Sequence, residues 1–150
     1  PSLMYYMTDN IAVGGHIGFD YMKQDDYHVD GVGTGDLKST LFIIKPTIRY
    51  KKELGGNFAW TPEFYIGFGF GKNKMDLEGD TDFDQDRFDL GVGIHFARFE
   101  YSVTDKWVVS ANFGDFGYSY SKVGDDPCAK TNIFGLNLLE DSSLGIAYRF

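Results

Sequence analysis

Residues 58–70 read FAWTPEFYIGFGF, and the two interleaved halves of this stretch differ in kind. Phe58, Trp60, Pro62, Phe64, Ile66, Phe68 and Phe70 carry no charge, while Ala59, Thr61, Glu63, Tyr65, Gly67 and Gly69 are small or polar. A period of two is the mark of a strand with one apolar face. The decisive matter is what covers seven consecutive apolar positions.

The same alternation recurs along the chain. Ile11, Val13, Ile17, Phe19 and Tyr21 share one parity, as do Phe42, Ile44, Pro46, Ile48 and Tyr50, set against Lys45, Thr47, Arg49 and Lys51. Two segments change phase midway. Phe88, Leu90, Val92, Ile94 and Phe96 give way to Phe99, Tyr101 and Val103, and Trp107, Val109, Ala111 and Phe113 give way to Phe116, Tyr118 and Tyr120. One extra residue near Arg98 and another near Asp115 predicts a β-bulge in each. The last segment keeps one phase from Phe134 to Phe150.

Composition agrees with an all-β protein: 17% aromatic residues, with 14 Phe, 10 Tyr and 19 Gly in 150 residues, favours strands with close backbone approach. By length this is a single domain over residues 1–150. A net charge of -8 without a basic patch argues against nucleic acid as a partner. The single Cys128 excludes an internal disulfide, and with no Cys or His nearby it implies no zinc site. No run approaches the ~18 apolar residues of a membrane helix, which leaves a membrane barrel open.

Connections alternate in length. Thr8–Asn10, Glu53–Asn57 and Thr104–Lys106 are short, whereas 25–38, 73–87 and 123–130 are long, polar and rich in Gly and Asp. Short and long connections then lie at opposite ends of an up-and-down array. YYMTDNIAVGGHIG and YSVTDKWVVSANFG form a faint internal repeat, as recurring hairpins would produce.

A soluble barrel would show Lys, Glu, Thr and Gln on its outer face. Here the lean face is Gly, Ala, Ser and isolated ionisable groups, which suits the narrow interior of an eight-stranded barrel. Tyr50, Trp60, Tyr101, Trp107, Tyr118, Tyr120 and Tyr148 near strand ends suit interfacial girdles. The segments also reach the ~9 to 11 residues of a membrane strand. The apolar face is therefore assigned to lipid.

The TDN and TDK turns after aromatic strands, the basic strand PTIRYKK, the GFGFG strand and the ending GIAYRF resemble the small OmpX/OmpA-like outer-membrane barrels of Gram-negative bacteria. The resemblance implies an eight-stranded antiparallel up-and-down transmembrane barrel in the bacterial outer membrane. It places the long loops outside and the short turns and C-terminus in the periplasm. It also implies that Leu144, Ile146, Tyr148 and Phe150 form the signal read by the barrel assembly machinery, with outer-membrane lipid and lipopolysaccharide as surroundings.

Seven strands can be drawn: 2–7, 11–24, 39–52, 58–72, 87–103, 107–122 and 131–150. Because single-chain bacterial barrels have even strand counts, the sequence is expected to lack the first strand. Dividing the last segment at EDSS, so that Leu138 pairs with Leu144 across a turn, would instead make eight.

The inferred lumen holds His16, Asp20, Lys45, Arg49, Glu63, Tyr65, Asp89, His95, Asn112, Asp141 and Arg149. Charges in so narrow a space must pair or stay hydrated, and a packed ionic core is expected. A histidine with Ser110 and Asp20 or Glu63 would be the ingredients of an acyl-transfer site, but no GxSxG element accompanies them. Asp80, Asp82 and Asp84 alternate like calcium ligands, yet Gln85 and Gly91 occupy the positions where an EF-hand loop needs Gly and an acid. A solvated acidic loop is expected there, with no cofactor.

Pro46 and Pro62 are expected at bulges or distorted pairings. They flank the ELGGN hairpin, a candidate wall for docking other envelope proteins. The leading expectation is a non-enzymatic barrel with a structural or interaction role, as an accessory subunit of an envelope complex or alone. A lipid-modifying or proteolytic barrel enzyme and a narrow pore are the alternatives.

Overall fold

The computed structural model describes residues 1–29, 33–77, 81–124 and 128–149. Ten strand segments follow one another without a helix: β1 Ser2–Tyr6, β2 Ile11–Val29, β3 Gly33–Tyr50, β4 Lys52–Gly55, β5 Phe58–Trp60, β6 Glu63–Leu77, β7 Thr81–His95, β8 Arg98–Ser102, β9 Trp107–Val123 and β10 Ala129–Tyr148. Three successive pairs, β3/β4, β5/β6 and β7/β8, are interrupted halves of single staves. The chain thus forms seven staves, and each pairs antiparallel with its sequence neighbours. This is the up-and-down order expected from alternating connections. Among the described residues no ladder joins β1 to β10.

The faces are those of a membrane barrel. Leu3, Phe19, Ile48, Phe70, Phe134, Leu144 and Ile146 are exposed, while Thr61, Glu63, Arg49, Glu100 and Asn112 are buried. A protein folding in water would bury the rings and expose the acids. Contacts that skip staves, such as Arg49 on β3 with Glu100 on β8, show that the polar face is concave.

The TDN and TDK turns are built alike. Thr8 Oγ1 accepts from the backbone N–H of Asn10 and Ile11, and Thr104 Oγ1 accepts from Lys106 and Trp107 at matching offsets. The hydroxyl caps amides that the strands leave unpaired, so the internal repeat marks a shared turn chemistry. Backbone N–H of Arg149 donates to Lys106 O at 2.7 Å, which places the chain end at the short-turn end.

The division at EDSS does not occur. Leu138 pairs with Gly114 and Leu144 with Ala111, so β10 runs on as one strand with an irregularity between Leu138 and Ser143. Phe134, Leu136, Leu138, Leu144, Ile146 and Tyr148 all stay exposed on one face. Phe150 lies outside the described residues.

Both phase changes are present, and they face each other. His95 pairs with Asp115 and Arg98 with Asn112, three residues apart on either strand, so the register survives the double irregularity. Two opposed extra residues cancel, where one alone would have flipped the partner. Pro62 falls in the break between β5 and β6, as expected. Pro46 makes no bulge: Ile44–Phe68 and Thr47–Tyr65 stay in register on either side of it, so only a rung of the ladder is lost.

The long connections are shorter than their polarity implied. β6 runs to Leu77 and β7 starts at Thr81, with Lys72 opposite Asp86 and Lys74 opposite Asp84. Opposite charges across a ladder support a strand as well as apolar pairs do, so polar composition there does not mean loop.

Candidate functional site

The concave face at the short-turn half is organised around one guanidinium. Arg49 Nε and Nη2 donate to Glu63 Oε2 at 2.9 and 2.5 Å, and Nη1 donates to Glu100 Oε1 at 2.9 Å. Glu63 lies directly opposite Arg49 in register, and its side chain is 1% exposed. His16 Nε2 donates to the other oxygen of Glu63 at 3.1 Å. Arg98 approaches Glu100 at 3.5 Å and Arg149 at 3.8 Å, while Arg149 Nη1 donates to Ser102 Oγ at 3.2 Å.

Residues from β2, β3, β6, β8 and the chain end thus share two carboxylates among three guanidinium groups. Such a cluster tolerates burial because each charge lies near an opposite one, with Arg49 joined to both glutamates by hydrogen bonds. Thr61 Oγ1, Arg98 Nε and Asn112 Oδ1 are buried beside it with no hydrogen-bond partner among the described residues.

Next along the axis is a stacked layer. Lys45 Nζ sits 4.4 Å from the centre of the Tyr65 ring, and Tyr65 stacks on His95 at 4.7 Å. Asn112 Nδ2 lies 3.4 Å from His95 Nδ1. Tyr65, Gly93 and Gly117 occupy one row of three neighbouring staves. A Cβ on Gly93 would fall 2.6 Å from Tyr65 Oη and 2.8 Å from Phe116 O, so the lean glycines leave the space that the ring fills.

Toward the long loops the lumen carries further polar pairs. Asp89 accepts from Ser121 Oγ at 2.6 Å and pairs with Arg87 at 2.7 Å, and Ser39 bonds Asn73 at 2.7 Å. On the outer side beyond the apolar belt, Asp25 and Asp36 beside Lys23 push its ammonium up to about 12, and Lys23 holds Asp25 below the usual carboxylate range. At the opposite end Lys51 lowers Glu53 in the same way.

The structure therefore brings His16, Arg49, Glu63 and Arg149 into one network, puts Lys45 and His95 in a second layer and Asp89 in a third. Asp20 keeps the inner-face register of β2 and is exposed, with no hydrogen bond or ion pair among the described residues. The side chains of Asp80, Asp82 and Asp141 lie outside the described residues. Asp84 pairs with Lys74 at 3.5 Å. Among the described residues no group of three or more His, Cys, Asp or Glu could hold a metal, and Ser110 makes no hydrogen bond with either His16 or His95.

Sequence reasoning missed Glu100 and Arg98, the second half of the network. The signal was available: the phase change before Arg98 that turns Phe99 and Tyr101 outward also turns Arg98, Glu100 and Ser102 inward.

A polar cavity of roughly 390 Å³ opens at the short-turn end, lined by Lys51, Glu53, Ser102 and Arg149, and it reaches Glu100. An inside-out sheet of tall staves, polar within and ringed by Phe, Ile and Leu, defines an integral β-barrel that crosses a membrane by strands. The chain belongs to the outer membrane protein β-barrel domain family, whose match covers residues 2–150. That family places it in the bacterial outer membrane. No curated protein and no solved structure matches it.

Proposed function

We propose that the protein is a non-enzymatic outer-membrane barrel that serves the envelope as a structural or interaction element, with long loops outside and short turns in the periplasm. The observation that carries this reading is the Arg49 bridge, which ties β3 to β6 and β8 through two buried glutamates. A guanidinium held by three hydrogen bonds to carboxylate oxygens in a buried cross-section serves as a strut. An enzyme would need a nucleophile within reach of a base, and among the described residues Ser110 makes no hydrogen bond with His16 or His95. A pore would need a continuous wet path, which this cluster and the Tyr65–His95 stack interrupt.

Reconstitution of the full chain in planar bilayers, with ester and peptide hydrolysis assayed in the same vesicles, tests the reading. The expected result is no stepwise conductance and no turnover for the wild type, with ion leakage appearing in Arg49→Ala. Turnover that disappears in Ser110→Ala would establish the enzyme instead, and steady conductance of the wild type the pore. Co-purification of another envelope protein that is lost when Pro46 and Pro62 are replaced would sharpen the interaction role to the ELGGN hairpin.

A further inference from the structure

Two of the chain's four prolines, Pro46 and Pro62, fall on one seam of the wall, the one between β3 and β6. In an antiparallel pair the N–H and C=O of a residue face the same neighbour, and successive residues alternate between neighbours. Lys51 N–H donates to Asn10 O on the β2 side and Tyr50 N–H donates to Pro62 O at 3.0 Å, so Pro46, Ile48 and Tyr50 all bond toward β6. The register that sets Ile44 opposite Phe68 and Ile48 opposite Phe64 places Pro46 opposite Ile66. Neither proline has an N–H to give. Pro46 therefore returns no bond to Ile66 O and Pro62 returns none to Tyr50 O, which leaves Ile48–Phe64 as the complete rung between them. The ladder skips Lys45–Gly67 and Pro46–Ile66, and a Cβ on Gly67 would meet only Gly91 O and Lys45 Cε, both at 4.0 Å, so the inner lining is thin at that point. On the other side of β6 the ladder to β7 runs unbroken from Glu63–His95 to Leu77–Thr81.

Side chains cross this seam where the backbone does not. Arg49 stands opposite Glu63 at a pair without backbone bonds, the position where facing side chains come closest, and it donates to both Glu63 and Glu100. His16 on β2 reaches over β3 to Glu63 on β6, and Lys45 on β3 lies over the Tyr65 ring on β6. In a bilayer no water replaces a missing backbone bond, so a seam poor in such bonds stays shut only where other contacts hold it. Arg49 or Glu63 takes part in three of these four contacts, and losing that one pair frees most of the seam at once.

We propose that the β3–β6 seam is a lateral gate in the barrel wall, with the Arg49–Glu63 pair as its latch. The gate parts the two staves between Pro46 and Pro62 while the neighbouring ladders stay paired. A wall built to be permanent would carry a backbone donor on every rung; here two donors are absent from one seam, and contacts that side chains can release take their place. The inference rests on the strut reading above and adds that the strut can let go.

Amide hydrogen exchange of the full chain, folded in detergent micelles and read by NMR, tests the gate on adjacent residues of one strand. Phe64 N–H bonds toward β3 and Tyr65 N–H toward β7 at the same depth, so the two amides differ in the seam that holds them. In wild type, Ile48 and Phe64 are expected to exchange about tenfold faster than Tyr65 and Gly93, or more. Pro46→Val with Pro62→Val restores both donors and should bring the four rates within about threefold of one another. Glu63→Gln weakens the latch and should speed Ile48 and Phe64 about tenfold more than it speeds Tyr65 and Gly93. Folding of each is checked by the heat-dependent gel shift of membrane barrels. Equal exchange at Phe64 and Tyr65 in folded wild type, or a difference that survives in the folded double-proline variant, would overturn the gate and leave the barrel and its strut standing. A folded Glu63→Gln chain with wild-type rates at all four amides overturns the latch and the strut together. Unprotected exchange at all four amides in wild type overturns the barrel reading and the gate with it. Should the proline variant fail to fold, the wild-type comparison decides.

Discussion

The two halves of this barrel use ion pairs in opposite surroundings. At the short-turn half, Arg49, Glu63 and Glu100 have side chains 9%, 1% and 6% exposed. At the long-loop half, Lys72 and Asp86 are 56% and 73% exposed, and Lys23 and Asp25 are 40% and 67% exposed. The contacts fall in a similar range of distance, but their consequences differ. Breaking a buried pair strands a charge that water cannot reach, whereas an exposed pair gives way to solvation of both partners. Proximity alone says little about what an ion pair contributes.

The largest effect that tests this contrast is expected for Glu63→Ala. It leaves Arg49 and His16 facing each other across a vacant site, and loss of about 3–5 kcal/mol should appear in urea unfolding followed by Trp60 and Trp107 fluorescence. Phe64→Arg, one residue further along the same stave, moves a charge from lumen to wall. In lipid vesicles it should cost about 2–4 kcal/mol, and in a small, easily deformed micelle much less. If vesicle and micelle values agree, Phe64 does not face lipid.

Gly93→Val should come next, at about 1–3 kcal/mol, because its side chain meets the Tyr65 hydroxyl and the Phe116 carbonyl. The paired change Gly93→Val with Tyr65→Ala should recover only part of that loss, since the carbonyl cannot move away. The smallest effect belongs to Lys23 and Asp25. Asp25 titrates below the usual carboxylate range, so its contribution is present above the unfolded value and fades as pH falls through the lowered folded one. Lys23→Gln should return Asp25 to the ordinary range by carboxyl-carbon NMR while leaving the unfolding midpoint in place.

The staves and their faces were legible in the chain because both follow from period-two alternation, which needs only neighbours two residues apart. Residues 58–70 declared an apolar wall, and Arg49 and Glu63 could be set on the inner face before their pairing was known. The TDN and TDK turns were legible for a similar reason, since a short turn is a local arrangement, whereas the capping by the Thr8 and Thr104 hydroxyls emerged with the structure. The ends of the long staves were not legible, because Lys72 and Lys74 meet Asp86 and Asp84 only after the strand has folded back.

Alternation by itself determined that this chain is a sheet with one face for lipid and one for polar side chains. Only the tertiary structure decided which polar groups meet: Glu100 lies 51 residues from Arg49, and His16 lies 47 from Glu63. Those distances are spanned by register, and register depends on how several loops and two opposed irregularities add up. A one-residue slip in any of them would exchange the faces of a stave, so the network exists only where all the offsets agree.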